Sequence, residues 1–259
     1  MLKKILIGIF VAVLVVALGT TALSVSSVSA AGPLPTPAAG NGQGMGANGQ
    51  GGIGTGMGTY VLTLPASELS ADEAAALLFM REEEKLARDV YTALYATWKF
   101  PVFQNIAASE QMHMDQMALL LTRYNLTDPA KAPGVFTDPK LQSLYNTLVA
   151  QGRQSIGAAL KVGGAIEEID ILDLQTRLAK TDNADIQQVY NNLMNGSNNH
   201  LNAFSRALTN QTGETYVPQS LTPEQYQSII SAGVGNGGSN GNGRPAWAGN
   251  GNGQGGGNR

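Results

Sequence analysis

Residues 71–98 read ADEAAALLFMREEEKLARDVYTALYATW, and within them Leu77, Met80, Glu84, Ala87, Tyr91, Leu94 and Trp98 follow one another at spacings that alternate between three and four. Side chains at that period share one face of an α-helix, so the stretch predicts a helix with a core-facing stripe. One position in the stripe is a carboxylate, Glu84. Just upstream, Ser70-Ala71-Asp72-Glu73 places a Glu three residues after a Ser. That is a capping box, and it opens the helix at Ser70.

Three more stretches repeat the pattern. Phe103, Ile106, Glu110, His113, Met117, Leu120 and Tyr124 form the seam of a second helix, from about Pro101 to Tyr124. Leu160, Gly164, Glu167, Ile171, Leu174 and Leu178 form that of a third, over about Ser155–Lys180. Ile186, Val189, Leu193, Gly196 or Ser197, His200, Phe204 and Ala207 mark a fourth, opening at Asp182 or Asn183 and reaching about Asn210. Seams spaced near 3.5 residues predict an all-α, left-handed four-helix bundle. The second connection is long. It holds a Pro/Gly-containing loop, Asn125–Phe136, and a shorter helix opened by Asp138-Pro139 and ending near Gly152. One long crossover between two hairpins is therefore expected. Thr222-Pro223-Glu224 caps a last short helix to about Ser231, and Tyr60–Leu64 reads as a short strand.

Outward from the bundle the composition changes. Of the 32 glycines in the 259 residues, ten lie in Gly40–Gly58 and twelve in Gly233–Gly257. Such segments cannot bury enough apolar surface to offset their backbone entropy. Residues 31–59 read as a Gly/Pro/Asn-rich linker and 233–259 as a disordered Gly/Asn-rich tail, in which Trp247 is an isolated aromatic. Residues 60–218 carry the bundle and 219–232 the last helix. At the N-terminus, Lys3 and Lys4 precede the apolar run Ile5–Leu18, and Val28-Ser29-Ala30 supplies a small-residue cleavage site. Residues 1–30 thus read as a secretory signal peptide, which predicts a secreted or cell-surface protein. Membrane contact is expected only if that segment stays uncleaved.

The net charge of −3, without a Lys/Arg cluster, excludes a strongly basic nucleic-acid binder. The absence of cysteine excludes disulfides, thiolate metal sites and Cys nucleophiles. Imidazole chemistry is confined to His113 and His200. Each long seam nevertheless carries a metal-ligating residue type near its middle: Glu84, Glu110 with His113, Glu167, and His200. Ionised carboxylates in an apolar core are costly unless paired or bound to a cation. Glu110 and His113 lie one turn apart on one face, and carboxylate with imidazole suits iron, manganese or zinc better than calcium. Glu82–Glu84 form an acidic run of the kind that usually faces solvent, with Glu83 the alternative to Glu84. Arg88 reads as an ion-pair partner of a carboxylate, and Tyr91 and Tyr124 as core aromatics able to hydrogen-bond a ligand. Met112, Met114 and Met117 read as packing or surface residues.

The string Glu84-Lys85-Leu86-Ala87-Arg88-Asp89-Val90-Tyr91 resembles the first-helix motif of rubrerythrins and, less closely, of ferritins and bacterioferritins. Glu110-Gln111-Met112-His113 resembles their second-helix E-x-x-H motif. The fuller strings REEEKLARDVY, SEQMH, IEEIDILDL and GSNNHLNAF resemble a ferritin-like family, domain of unknown function 2202. The resemblance implies a ferritin-like bundle with metal ligation by Glu84, Glu110 and His113 and a third-helix carboxylate. Glu167 and Glu168 compete for that last role, with Asp170 as helper. The fourth helix departs from the pattern: Ser197-Asn198-Asn199-His200 stands where those di-iron proteins carry a second E-x-x-H, so one metal, two unequal metals, or recruitment of Asp170 all stay open. Iron with a di-iron-type redox role, Fe(II) oxidation or peroxide reduction, follows by analogy. The alternative is a non-enzymatic helical module whose tails contact a surface or matrix. A homodimer is compatible with either.

Overall fold

A computed structural model describes residues 60–235. The expected signal peptide and linker, and the expected tail from residue 236 on with Trp247, lie outside the described residues, while residues 233–235 continue the last helix instead of starting the tail. The chain divides into two units, Met1–Thr63 and Leu64–Arg259. Of the first, residues 60–63 are described, and they are helical, not extended. The aromatic and β-branched composition suggested a strand, but a strand needs a partner for its backbone groups, and a helical turn pairs them locally.

In the second unit every regular element among the described residues is a helix. They are α1 (Ala71–Trp98), α2 (Pro101–Arg123), α3 (Pro139–Gly152), α4 (Ile156–Leu178), α5 (Ala184–Thr212) and α6 (Pro223–Gly235). The starts follow the capping signals. Ser70 and Glu73 bond reciprocally, Ser70 N–H to Glu73 Oε2 at 2.9 Å and Glu73 N–H to Ser70 Oγ at 3.2 Å. Asp138 accepts from Lys140 N–H at 2.6 Å ahead of Pro139, and Ser155 Oγ accepts from Ala158 N–H at 3.0 Å. Asn183 caps α5. The turn from α1 to α2 is tight because Lys99 adopts a left-handed conformation (φ 53°).

The long helices pack as two hairpins, α1 with α2 and α4 with α5, set face to face through α2–α5 and α1–α4. Helix α3 crosses from α1 to α4, and α6 lies on α5. This is an all-helical bundle with one long crossover, compatible with the ferritin-like arrangement. Polar ties fix one end. Glu73 accepts from Thr181 Oγ1 at 2.6 Å and Asn183 Nδ2 at 2.9 Å, linking the start of α1 to that of α5. Tyr124 donates to Asp185, and Arg123 pairs with Asp185 at 3.1 Å. The counted seams are buried along most of their length, with Trp98, Tyr124, Leu178 and Ala207 half-buried at the ends.

The crossover loop explains why Arg81–Ala87 is buried all round, acidic run included. Glu82 accepts from Thr137 N–H at 2.5 Å and Asp138 N–H at 3.0 Å. Arg81 pairs with Asp128 at 2.8 Å and donates to Met114 O at 2.7 Å. Lys85, fully buried, bonds Asp89 at 2.5 Å and Val135 O at 3.0 Å, with its ammonium 4.0 Å from the centre of the Phe136 ring. Asp89 also accepts from Gly134 N–H and from Arg88. The charged string on α1 is therefore a clamp on the crossover. Glu82→Ala leaves two loop N–H groups unpaired and should cost about 2–4 kcal/mol in chemical denaturation; Glu82→Gln keeps an acceptor and should cost less.

Candidate metal centre

Four helices converge on one buried cluster. Glu84 comes from α1, Glu110 and His113 from α2, Glu167 from α4 and His200 from α5. They fall into two groups that could each hold a metal ion, Glu84–Glu110–His113 and Glu110–Glu167–His200. Glu110 belongs to both and offers one oxygen to each. Its Oε2 lies 2.8 Å from His113 Nδ1, and its Oε1 lies 2.8 Å from His200 Nδ1. Glu84 Oε2 stands 3.2 Å from His113 Nδ1, and Glu167 Oε2 stands 3.5 Å from His200 Nδ1. The two imidazoles are stacked, with ring centres 5.5 Å apart.

The cluster is supported from behind. His200 Nε2 lies 2.9 Å from Ser109 Oγ, which leaves Nδ1 as the inward nitrogen. Tyr91 donates to Glu167 Oε1 at 2.5 Å. The Tyr91 ring packs 5.1 Å from Phe204, whose own ring lies 5.7 Å from Phe103, so an aromatic layer closes the core beside Glu167. His113 turns its outer edge to Gly196 of α5, where a Cβ would overlap the imidazole. That contact needs a residue without a side chain.

Several atoms here lack a hydrogen-bond partner although buried: Glu84 Oε1, Glu110 Oε1 and His200 Nδ1. Glu110 Oε1 and His200 Nδ1 are close but misaligned for an N–H···O bond. Converging oxygen and nitrogen atoms that only partly satisfy one another suit a cation between them, so the donor set fits a metal. The electrostatics agree. Burial pushes the Glu84 carboxyl up to about 7, against the pull of His113. Burial also opposes ionisation of Glu110, but His200 and His113 outweigh it and hold Glu110 well below the usual carboxylate range. Burial disfavours charge on His200, yet Glu110 and Glu167 push it up to about 10; His113 is raised likewise, mainly by Glu110.

The remaining candidates separate by contact. Glu168 points away from the cluster and accepts from Tyr216 at 2.5 Å and from the N–H groups of Gln219, Ser220 and Leu221 at 2.9, 2.6 and 2.8 Å. It anchors the segment before α6, and Glu167 faces the histidines. Tyr124 bonds Asp185, not the cluster. Arg88 pairs with Asp89 at 2.7 Å. Met112 is exposed, and Met114 and Met117 are core residues. Sequence reasoning missed Gly196 and Ser109. A glycine one turn before a seam histidine was the available signal for the first; a half-buried serine gives none.

Two outcomes are expected. Gly196→Ala gains helix propensity but displaces His113, so helicity should be kept while Co(II) affinity at the His113 half falls at least about tenfold in a spectroscopic titration. In the metal-free protein both imidazoles hold protons at neutral pH, and a metal must displace them. Binding should tighten from about pH 6 to about pH 8, and the buffer dependence of the calorimetric enthalpy should report release of at least about one proton per chain.

Residues 73–233 match the family described as uncharacterized protein domain DUF2202. Uncharacterized protein MJ0754 of Methanocaldococcus jannaschii is 51% identical over 180 residues, which is 69% of this chain and 97% of that protein. The crystal structure of hypothetical protein MJ0754 from Methanococcus jannaschii DSM 2661 is similar with a TM-score of 0.63 at 52% identity, over 65% of this chain and 97% of that one. The chain belongs to the DUF2202 family.

Proposed function

We propose that the chain is a ferritin-like protein acting outside the cytoplasm, with a two-ion carboxylate/histidine centre filled by iron and used for redox chemistry. The observation that carries the reading is Glu110, whose two oxygens each face a different imidazole. A carboxylate so placed could serve an ion in each group. Each group offers three protein atoms, and an ion held there would keep coordination positions for water or substrate. Oxygen and imidazole donors without thiolate favour iron or manganese, with zinc also accommodated.

Bound iron would supply one-electron steps and Lewis acidity. The chain's own residues do the rest. Tyr91 fixes Glu167, Ser109 orients His200, and Gly196 lets His113 approach. The Tyr91–Phe103–Phe204 layer excludes water on one side. The reactions this favours are oxidation of Fe(II) by dioxygen and reduction of a peroxide to water. The second takes electrons from an external donor, since the sequence has no cysteine to hold a four-cysteine iron site. The lysine-led apolar start and the Val28-Ser29-Ala30 exit support export.

A structural metal in a non-enzymatic module is favoured by one feature, the enclosure of the centre: Glu110 is 2% exposed and His200 7%. Elemental analysis of protein purified without added metal, followed by Fe(II)-oxidation and peroxide assays, separates the two readings. Iron near two per chain with turnover is expected, and Glu110→Ala and the double variant His113→Ala/His200→Ala should each lose most of the metal. Equal metal in wild type and variants would overturn the site. Tight metal without turnover, with unfolding on chelation, would favour the structural role.

A further inference from the structure

Three carboxylates, Glu84, Glu110 and Glu167, make up the acidic side of the two groups. Neutral imidazoles add no charge, so two divalent ions would leave one positive charge unbalanced in a buried site. Burying net charge is costly. A fourth acid stands beside them. Asp170 lies one turn beyond Glu167 on α4 and is 6% exposed. Its Oδ2 accepts a short hydrogen bond from Ser197 Oγ, and its Oδ1 is buried without a partner. The charged groups that face it most strongly are acids, Glu84 and Glu83, then Glu167. The Ser197 hydroxyl has one proton and stands between Asp170 and Leu193 O, 3.0 Å away; a carboxylate is the stronger acceptor.

Ser197 lies three residues before His200, the relation that Glu110 bears to His113. The α5 position one turn from the histidine thus carries no charge itself but reaches across to hold a carboxylate from α4. We propose that Asp170, held by Ser197, is the fourth carboxylate of the centre and supplies the negative charge that a second metal ion requires. The proposal rests on the two-ion reading above. Glu83 also neighbours Asp170 and is buried, but its carboxyl lies against Asp173 and Arg177. It serves as the control.

The test is Co(II) or Zn(II) stoichiometry and affinity by calorimetry on the full chain, with helicity monitored by circular dichroism. Wild type should bind two ions per chain. Asp170→Asn, nearly isosteric, should keep the first ion and weaken the second at least about tenfold. Ser197→Ala should weaken the second ion by a smaller factor, and Glu83→Gln should leave both. In the Asp170→Asn background, Ser197→Asp returns the charge from α5 and should restore part of the second ion's affinity. Unchanged binding of two ions by both Asp170→Asn and Ser197→Ala would overturn the role of Asp170 and leave the two-ion centre standing. Wild type that binds fewer than two ions would overturn the two-ion reading itself.

Discussion

An ionised carboxylate inside an apolar bundle must find a cation or a set of N–H donors, and this molecule sorts its buried acids by that constraint. Glu82, Asp89, Glu168 and Asp185 are answered by the protein: backbone N–H groups for Glu82 and Glu168, Lys85 and Arg88 for Asp89, Arg123 and Tyr124 for Asp185. Glu84, Glu110, Glu167 and Asp170 have mainly one another and two imidazoles. Burial raises Glu84, Glu167 and Asp170 above the usual carboxylate range, with neighbouring carboxylates adding to it, while Glu110 takes the benefit of both histidines. The strain belongs to the metal-free state. A bound dication would remove it by supplying the charge that desolvation denies, and so would bring binding energy and folding energy into one quantity.

The two classes occupy alternate faces of the same helices, which explains how charge-rich strings can be core sequence. On α1, Glu82 faces the crossover loop and Glu84 faces α2, two residues and half a turn apart. On α4, Glu168 serves the segment before α6 and Glu167 serves the centre. Adjacent residues on a helix diverge by about 100°, so neighbouring acids in one run can have unrelated work. The loop-facing acids fix the crossover, the crossover fixes α3 across α1 and α4, and those helices carry Glu84 and Glu167.

Much of this was legible in the sequence because both the fold and the site obey the same period. The seams located four helices, and the residues that interrupted them with ligand chemistry, Glu84, Glu110, His113, Glu167 and His200, are the ones the fold brings together. What was not legible came from contacts between elements distant in sequence. The burial of Glu82 depends on Thr137 and Asp138, some 55 residues away. The distinction between Glu167 and Glu168 depends on Tyr216 and on N–H groups around Ser220. The expected strand at Tyr60–Leu64 failed because local composition favours extension only where another strand can pair with it.

The departures on α5 belong together. Gly196 and Ser197 are small residues on the α5 face of the centre, where the other three long helices present carboxylates. Gly196 gives its space to the His113 ring, and Ser197 gives its hydroxyl to Asp170. A glutamate at 197 would add a charge on the flank already facing Asp170, Glu84 and Glu83, so the small residue and the α4 aspartate are alternatives, not independent features. The resulting halves are unequal. One is completed by Glu84, which has no tyrosine partner and is raised to about 7 by burial; the other by Glu167, which Tyr91 locks in place. Both carboxyls are raised by burial, so the difference lies in order: a donor already held by a hydrogen bond loses less entropy on binding, and the half built on Glu167 is the preorganised one. Were two ions bound, unequal affinity at the two positions would follow from the scaffold itself, from which helix supplies each carboxylate.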